Sequence, residues 1–420
     1  MKSYQVVALL LIGLVYTAIF VAKNYLLGGP YGDEIHFWPT VLLFSQEPIP
    51  SVHLLNTYPE VIAPLPFMVG GWIINLFGES LQHLRLLSFA LSLGILLLFL
   101  TLSPNANRFW LAALGLVSFP YYYFCSTFFY TDMTALMFIL LGWVAYLKRV
   151  HWASCLCFIA AISSRQYAIV FPLVILCHET LPALFADPHP GTITQLMRQK
   201  SYLLFYGLAG LTLVGWLLFW KGLGPAPEIA RQKYTGTVYQ TTYQPGFVLY
   251  ASACLGLYYV LPELLLTRKF QFYALSTQSA GSVLGWVALI GFLVTTFPAV
   301  QMNDGFFVVT NLGFFDRHLT MIGISGSTKQ YVFGGLMLLT VLRFASPVSG
   351  LAGWVVLLNL LLMGKAHIGW DKYLMPTIAT LWLLTLFDAH WPAASRPIRL
   401  STLTRLVYRR ASREPIEQND

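Results

Sequence analysis

Residues Tyr4–Ala22, YQVVALLLIGLVYTAIFVA, run nineteen residues without a charge, close to the ~20 apolar residues that carry an α-helix across a bilayer. Lys2 precedes the run as in a secretory signal, but no small-x-small cleavage site follows, so it is expected to stay as a first helix. Near-continuous apolar runs return at Leu84–Leu102, Ser201–Trp220, Phe247–Leu266, Ala280–Val300 and Tyr373–Phe387. Lipid cannot hydrogen-bond a bare backbone, so runs of this length read as helices. Composition agrees: 57% of residues are hydrophobic and 10% charged, where a soluble domain carries about 25% charged residues. With a mean hydropathy of +0.66, the 420-residue chain reads as an all-α, polytopic membrane protein.

The net charge of +8 does not point to nucleic acid, because the basic residues stand in short clusters between apolar runs. Lys2, Arg108, Lys148–Arg149, Arg198 with Lys200, Arg268–Lys269, Arg343 and the arginines from Arg396 to Arg413 all fall on one side if about 12 helices span the membrane with both termini cytoplasmic. The spans expected are 4–26, 84–102, 109–124, 132–147, 152–164, 166–180, 201–220, 247–266, 281–300, 331–344, 349–364 and 372–388. Residues 1–388 then form one transmembrane domain, 27–83 a long first outer loop with short surface helices, and 389–420 a basic cytoplasmic tail. Val61–Phe77 is apolar but short and broken by Pro64 and Pro66, so it is expected to lie against the outer face or to dip partway in. The five cysteines form no C-x-x-C pair and read as buried free thiols.

This topology gathers acids and cations on the outer side. Gly28–Val41, GGPYGDEIHFWPTV, sets Asp33 and Glu34 side by side after a glycine-rich turn. Asp33 is either an N-cap for a short surface helix or a catalytic acid; Glu34 is either a favourable charge at a helix start or part of the same chemistry. FFYTDM (Phe128–Met133), SSRQY (Ser163–Tyr167) and GWDKYLMP (Gly369–Pro376) each put a charge at the end of an apolar span. Such a charge must be paired or used. Asp132 either caps a helix or serves Arg165 or a ligand, and Lys372 either snorkels or binds an anion. The aromatic wealth suits membrane interfaces and equally the stacking of sugars on rings such as Tyr31, Trp38, Tyr130 and Trp370.

PYGDEIHF (Pro30–Phe37), SFPYYYFCSTFFYTD (Ser118–Asp132) and AAISSRQYAIV (Ala160–Val170) resemble, in order and spacing, blocks of the dolichyl-phosphate-glucose dependent α-1,2-glucosyltransferases. These are GT-C class enzymes of asparagine-linked glycosylation. The resemblance covers about residues 1–180; His36 stands one place earlier than the family's histidine, and Tyr167-Ala168 stands where the family has Thr-Asn. The resemblance implies a GT-C helical fold and an inverting transfer of a sugar, with glucose and an α-1,2 linkage expected. The donor would be a polyprenyl or dolichyl phosphate, and the acceptor a lipid-linked oligosaccharide or another glycan.

It further implies Asp33 as base, with Glu34 as its substitute or an acceptor ligand. Arg165, Lys372, His367 and Arg317 are the candidates for the donor phosphate, and Tyr31, His36, Asp132, Gln166, Tyr130 and Asp371 for sugar and acceptor. No metal, cofactor or nucleic-acid partner is expected; the partners are the two substrates and membrane lipids, and the chain is expected to act as a monomer. The active site would face the lumen of the endoplasmic reticulum or, in a bacterium, the periplasm. The rival class, a membrane transporter, should place ionisable residues or broken helices near mid-bilayer, whereas the spans here are mostly uncharged at their centres.

Overall fold

The structure, a computed structural model, describes residues 2–186, 198–234, 243–267, 280–299, 312–345, 350–366 and 369–387, and every regular element among them is helical. Helix α1 (Ser3–Ala22) lies on the outside of the bundle, with Leu10 and Leu14 well exposed, as a lipid-facing helix requires. Beyond it the backbone takes an unusual turn, in which Asn24, Tyr25 and Leu26 have φ of 47°, 57° and 62°. Left-handed residues other than glycine cost about 1–2 kcal/mol each, so this turn must be held from outside. The Gln82 side chain donates to the Tyr25 carbonyl at 2.8 Å and Arg85 to the Leu26 carbonyl at 3.0 Å.

The turn delivers the chain to α2 (Glu34–Gln46), α3 (Val52–Thr57) and α4 (Leu65–Phe77). Ser51 caps α3 by accepting the Leu54 N–H at 3.1 Å. At 13 residues, α4 is about 20 Å long, short of the ~30 Å hydrocarbon core; it packs against α2 and α5 (Leu81–Leu102). Helices α6 (Ala106–Val117) and α7 (Pro120–Thr127) meet at 74°, the break falling where Pro120 starts the second helix. Then α8 (Thr131–Leu147) and α9 (His151–Ser164) form a tightly packed hairpin, and a 3₁₀ turn over Gln166–Ile169 leads into α10 (Val170–Ala186).

The second half contains α11 (Leu203–Trp220), α12 (Ala226–Tyr234), α13 (Pro245–Leu255) and α14 (Leu261–Thr267). These are followed by α15 (Ala280–Thr296), α16 (Phe314–Met321), α17 (Gly326–Phe344) and α18 (Leu351–Met363). The last helix, α19 (Met375–Leu386), follows a 3₁₀ turn over Asp371–Leu374 and is buried along its whole length.

Each expected span meets a helix, but fewer pass as crossings. Five helices are long and apolar enough to cross a membrane, and a sixth is gained if the bent α6–α7 pair is one broken span. The count of about 12 is therefore not reached by length and hydropathy among the described residues: α8, α9 and α18 are shorter apolar helices. The basic tail, Arg268 and Lys269, and His367 lie outside the described residues.

Candidate active site

Adjacent residues on a helix point about 100° apart, so Asp33 and Glu34 at the start of α2 cannot face the same way. Glu34 turns inward and is fully buried. Arg85, from the first turns of α5, grips it with two bonds, Nε to Oε1 at 2.9 Å and Nη2 to Oε2 at 2.6 Å. The Phe129 N–H adds a bond of 2.7 Å and the Tyr31 N–H one of 3.0 Å. The same guanidinium donates to the carbonyls of Leu26, Gly28 and Gly29. Glu34 and Arg85 thus tie the left-handed turn, the glycine loop and the α7–α8 junction into one knot.

Asp33 turns the other way. It occupies the N-cap position of α2 without a side-chain capping bond; its Oδ2 instead meets Lys372 Nζ at 2.8 Å, and its side chain keeps 32% of its exposure. Its N–H donates to Tyr130 Oη at 3.2 Å. Lys372 is buried beneath this pair, its ammonium 4.8 Å from the centre of the Tyr130 ring and 5.1 Å from that of Trp370, contacts that partly replace lost hydration.

Next to it, Asp132 lies inside the first turn of α8, where it pairs with Arg165 and accepts a bond from Tyr167 Oη at 3.0 Å. Lys372 lies within electrostatic reach of both Asp33 and Asp132, so Asp33, Lys372, Asp132 and Arg165 form a row of alternating charge. Arg165 and Tyr167 line a cavity of about 220 Å³ together with Val61, Ile62, Leu223, Leu362, Met363 and Tyr373. Arg165 Nε is buried with no partner.

Glu60 joins this group from the first outer loop. It is 8% exposed and lies within electrostatic reach of Asp33, Arg165, Glu228 and Arg231. Burial first, then the neighbouring Glu228 and Asp33 carboxylates, push its carboxyl up to about 8, against the opposing pull of Arg165 and Arg231.

The structure therefore brings Asp33, Asp132, Arg165, Lys372, Tyr130 and Gln166 together. Gln166 does so as a brace, its amide donating to the Val61 carbonyl at 2.5 Å at the edge of the cavity. Other candidates point elsewhere. Asp371 is buried and accepts the Phe315 N–H at 3.1 Å, holding the first turn of α16. Arg317 is exposed on that helix and His36 is exposed on α2, and the exposed Tyr31 ring packs near Phe128. Arg85 and Glu60 did not stand out in the sequence. The signal for Arg85 was a guanidinium in the first turns of an apolar span, which demands a buried anion; Glu60, one acid in a loop, gave none.

The family model for the DIE2/ALG10 family matches residues 61–214. No curated protein matches the chain. No solved structure matches it either. The matched stretch holds Arg85, Tyr130, Asp132, Arg165, Gln166 and Tyr167, whereas Asp33, Glu60 and Lys372 reach the site from outside it. The family is one of glucosyltransferases in N-glycosylation, and with the apolar helices it points to an integral membrane enzyme of the endoplasmic reticulum. Over residues 61–214 the chain is thus similar to the DIE2/ALG10 family, that of the dolichyl-phosphate-glucose α-1,2-glucosyltransferases.

Proposed function

We propose that this protein moves glucose from dolichyl phosphate to a hydroxyl of a lipid-linked oligosaccharide at the lumenal membrane face, with inversion at the anomeric carbon. The observation that carries the reading is Arg165. Its guanidinium is held on one side by Asp132, leaves Nε unpartnered, and lines a cavity whose other walls are largely apolar. A phosphate at the end of an isoprenoid chain needs such a surrounding: a planar cationic fork for the oxyanion and apolar walls for the lipid.

Asp33 is the base of this reading, and Lys372 fixes its direction from 2.8 Å away. The acceptor oxygen bonds to the anomeric carbon as its proton passes to Asp33. The carbon–oxygen bond to the phosphate breaks, and the electron pair leaves on the phosphate, whose growing charge Arg165 offsets. One displacement inverts the centre, so a β-linked donor gives an α-linked product. Glu34 takes no part in proton transfer, because both its oxygens are committed to Arg85 and the backbone.

The test is transfer in membranes with a panel of polyprenyl-phosphate sugars and the linkage of the product determined. Asp33→Asn is expected to lower turnover about 10²–10⁴-fold while the protein still inserts and folds. Normal transfer by that variant removes Asp33 from the base role, and turnover only with nucleotide sugars removes the donor class.

A further inference from the structure

Glu60 is the one carboxyl of this cluster for which the mechanism above has no use. Its loop is built rather than loose: Tyr58 Oη donates to the Ile62 carbonyl at 2.7 Å, Gln166 to the Val61 carbonyl at 2.5 Å, and the Trp220 indole to the Leu55 carbonyl at 2.8 Å. The two residues after Glu60 line the cavity. Among the described residues its carboxyl has no hydrogen-bond donor and no cation at ion-pair distance, although it is nine-tenths buried. The groups that face it are Asp33 from the start of α2, Arg165 from the α9–α10 junction, Glu228 and Arg231 from α12, and Tyr58 from its own loop.

A buried carboxyl with no partner and two acids nearby is disfavoured as an anion. The neutral form can do what Asp33, Asp132 and Glu34 cannot, which is to donate a hydrogen bond. A sugar whose hydroxyl gives its proton to Asp33 meets acidic acceptors there, and beside the cations Lys372 and Arg165 a neutral Glu60 adds an uncharged donor. We propose that Glu60 is an acceptor-binding residue, presenting a carboxylic acid O–H to a sugar oxygen next to the hydroxyl that Asp33 deprotonates. The assignment rests on the reading of Asp33 as the base.

Glu60→Ala, Glu60→Gln and Asp33→Asn are compared in membranes with dolichyl-phosphate-glucose and lipid-linked oligosaccharide. Glu60→Ala is expected to raise KM for the oligosaccharide about tenfold, the loss of one hydrogen bond, and to leave KM for the donor unmoved. Glu60→Gln, which keeps a donor, is expected to recover most of the acceptor affinity and to lack the fall in activity expected of the natural protein as pH rises through about 8. Asp33→Asn should lose kcat with acceptor KM intact, which separates the two roles. A Glu60→Gln variant as inactive as Asp33→Asn, or an unchanged acceptor KM in Glu60→Ala, overturns the proposal.

An infrared carbonyl band of a protonated carboxyl, absent from Glu60→Gln, is expected at pH 7 and should shift when oligosaccharide is added, whether or not transfer follows. Absence of the band, or its indifference to oligosaccharide, overturns the assignment independently of turnover.

Discussion

Replacing Glu34 by alanine should damage the fold of the first outer loop, not the chemistry. The carboxylate receives four bonds, two from Arg85 and one each from the Phe129 and Tyr31 amides. Removing it leaves the Arg85 guanidinium in a site where the side chain is only 4% exposed. Breaking a buried pair from one side costs about 3–5 kcal/mol, mostly because the remaining charge is uncompensated. Arg85 also holds the three left-handed residues after α1 through the Leu26 carbonyl, and their strain of about 1–2 kcal/mol each pushes the turn to open once the grip loosens. The two effects act on the same segment, so hydrogen exchange in residues 24–34 should speed up by about 10² or more, with a lower melting temperature in detergent. Arg85→Ala should do the same, and the double variant should cost less than the sum of the two, because no unpaired charge is left behind. Wild-type exchange in Glu34→Ala, or costs that simply add in the double variant, would refute the argument.

Arg165→Lys keeps the charge but loses the fork that Asp132 and the cavity share; KM for the lipid-phosphate donor is expected to rise at least about tenfold, measured against an unchanged acceptor KM. Gly313 has φ 119°, and a Cβ there would overlap the Asp371 carboxylate, so Gly313→Ala should detach the start of α16 and lower the melting temperature. Glu60 titrates near 8 in the folded protein against 4.5 normally, so its proton is held more tightly folded than unfolded. Its contribution to stability is therefore fully present below about pH 4.5 and is lost as pH rises through about 8. Melting of the natural protein relative to Glu60→Gln should fall across that window, and a constant difference from pH 5 to 9 would sink the assignment.

The helices were legible because lipid leaves a chain few options, and the run at Tyr4–Ala22 alone announces the class. The number of crossings was not, because hydropathy treats two kinds of helix alike: α1 shows its leucines to the outside, whereas α19 has 12 residues, all buried by protein. An apolar segment can be apolar for either neighbour, and only the tertiary arrangement distinguishes them. The same limit governs the site. Asp33 and Lys372 are 339 residues apart, and although each stands out as a charge beside an apolar span, nothing local pairs them.

Between the two adjacent acids the sequence left the choice of base open, and what separates them in the structure is an arginine 51 residues further on, inside a run that reads as plain membrane helix. Arg85 cannot be buried without an anion, and α2 can turn only one of its first two acids toward it. Once Glu34 answers that need, Asp33 is left partly exposed with Lys372 beside it. Arg85 thus sets the direction of Asp33 through Glu34 and the turn before it, and a substitution there should move Asp33 without touching it.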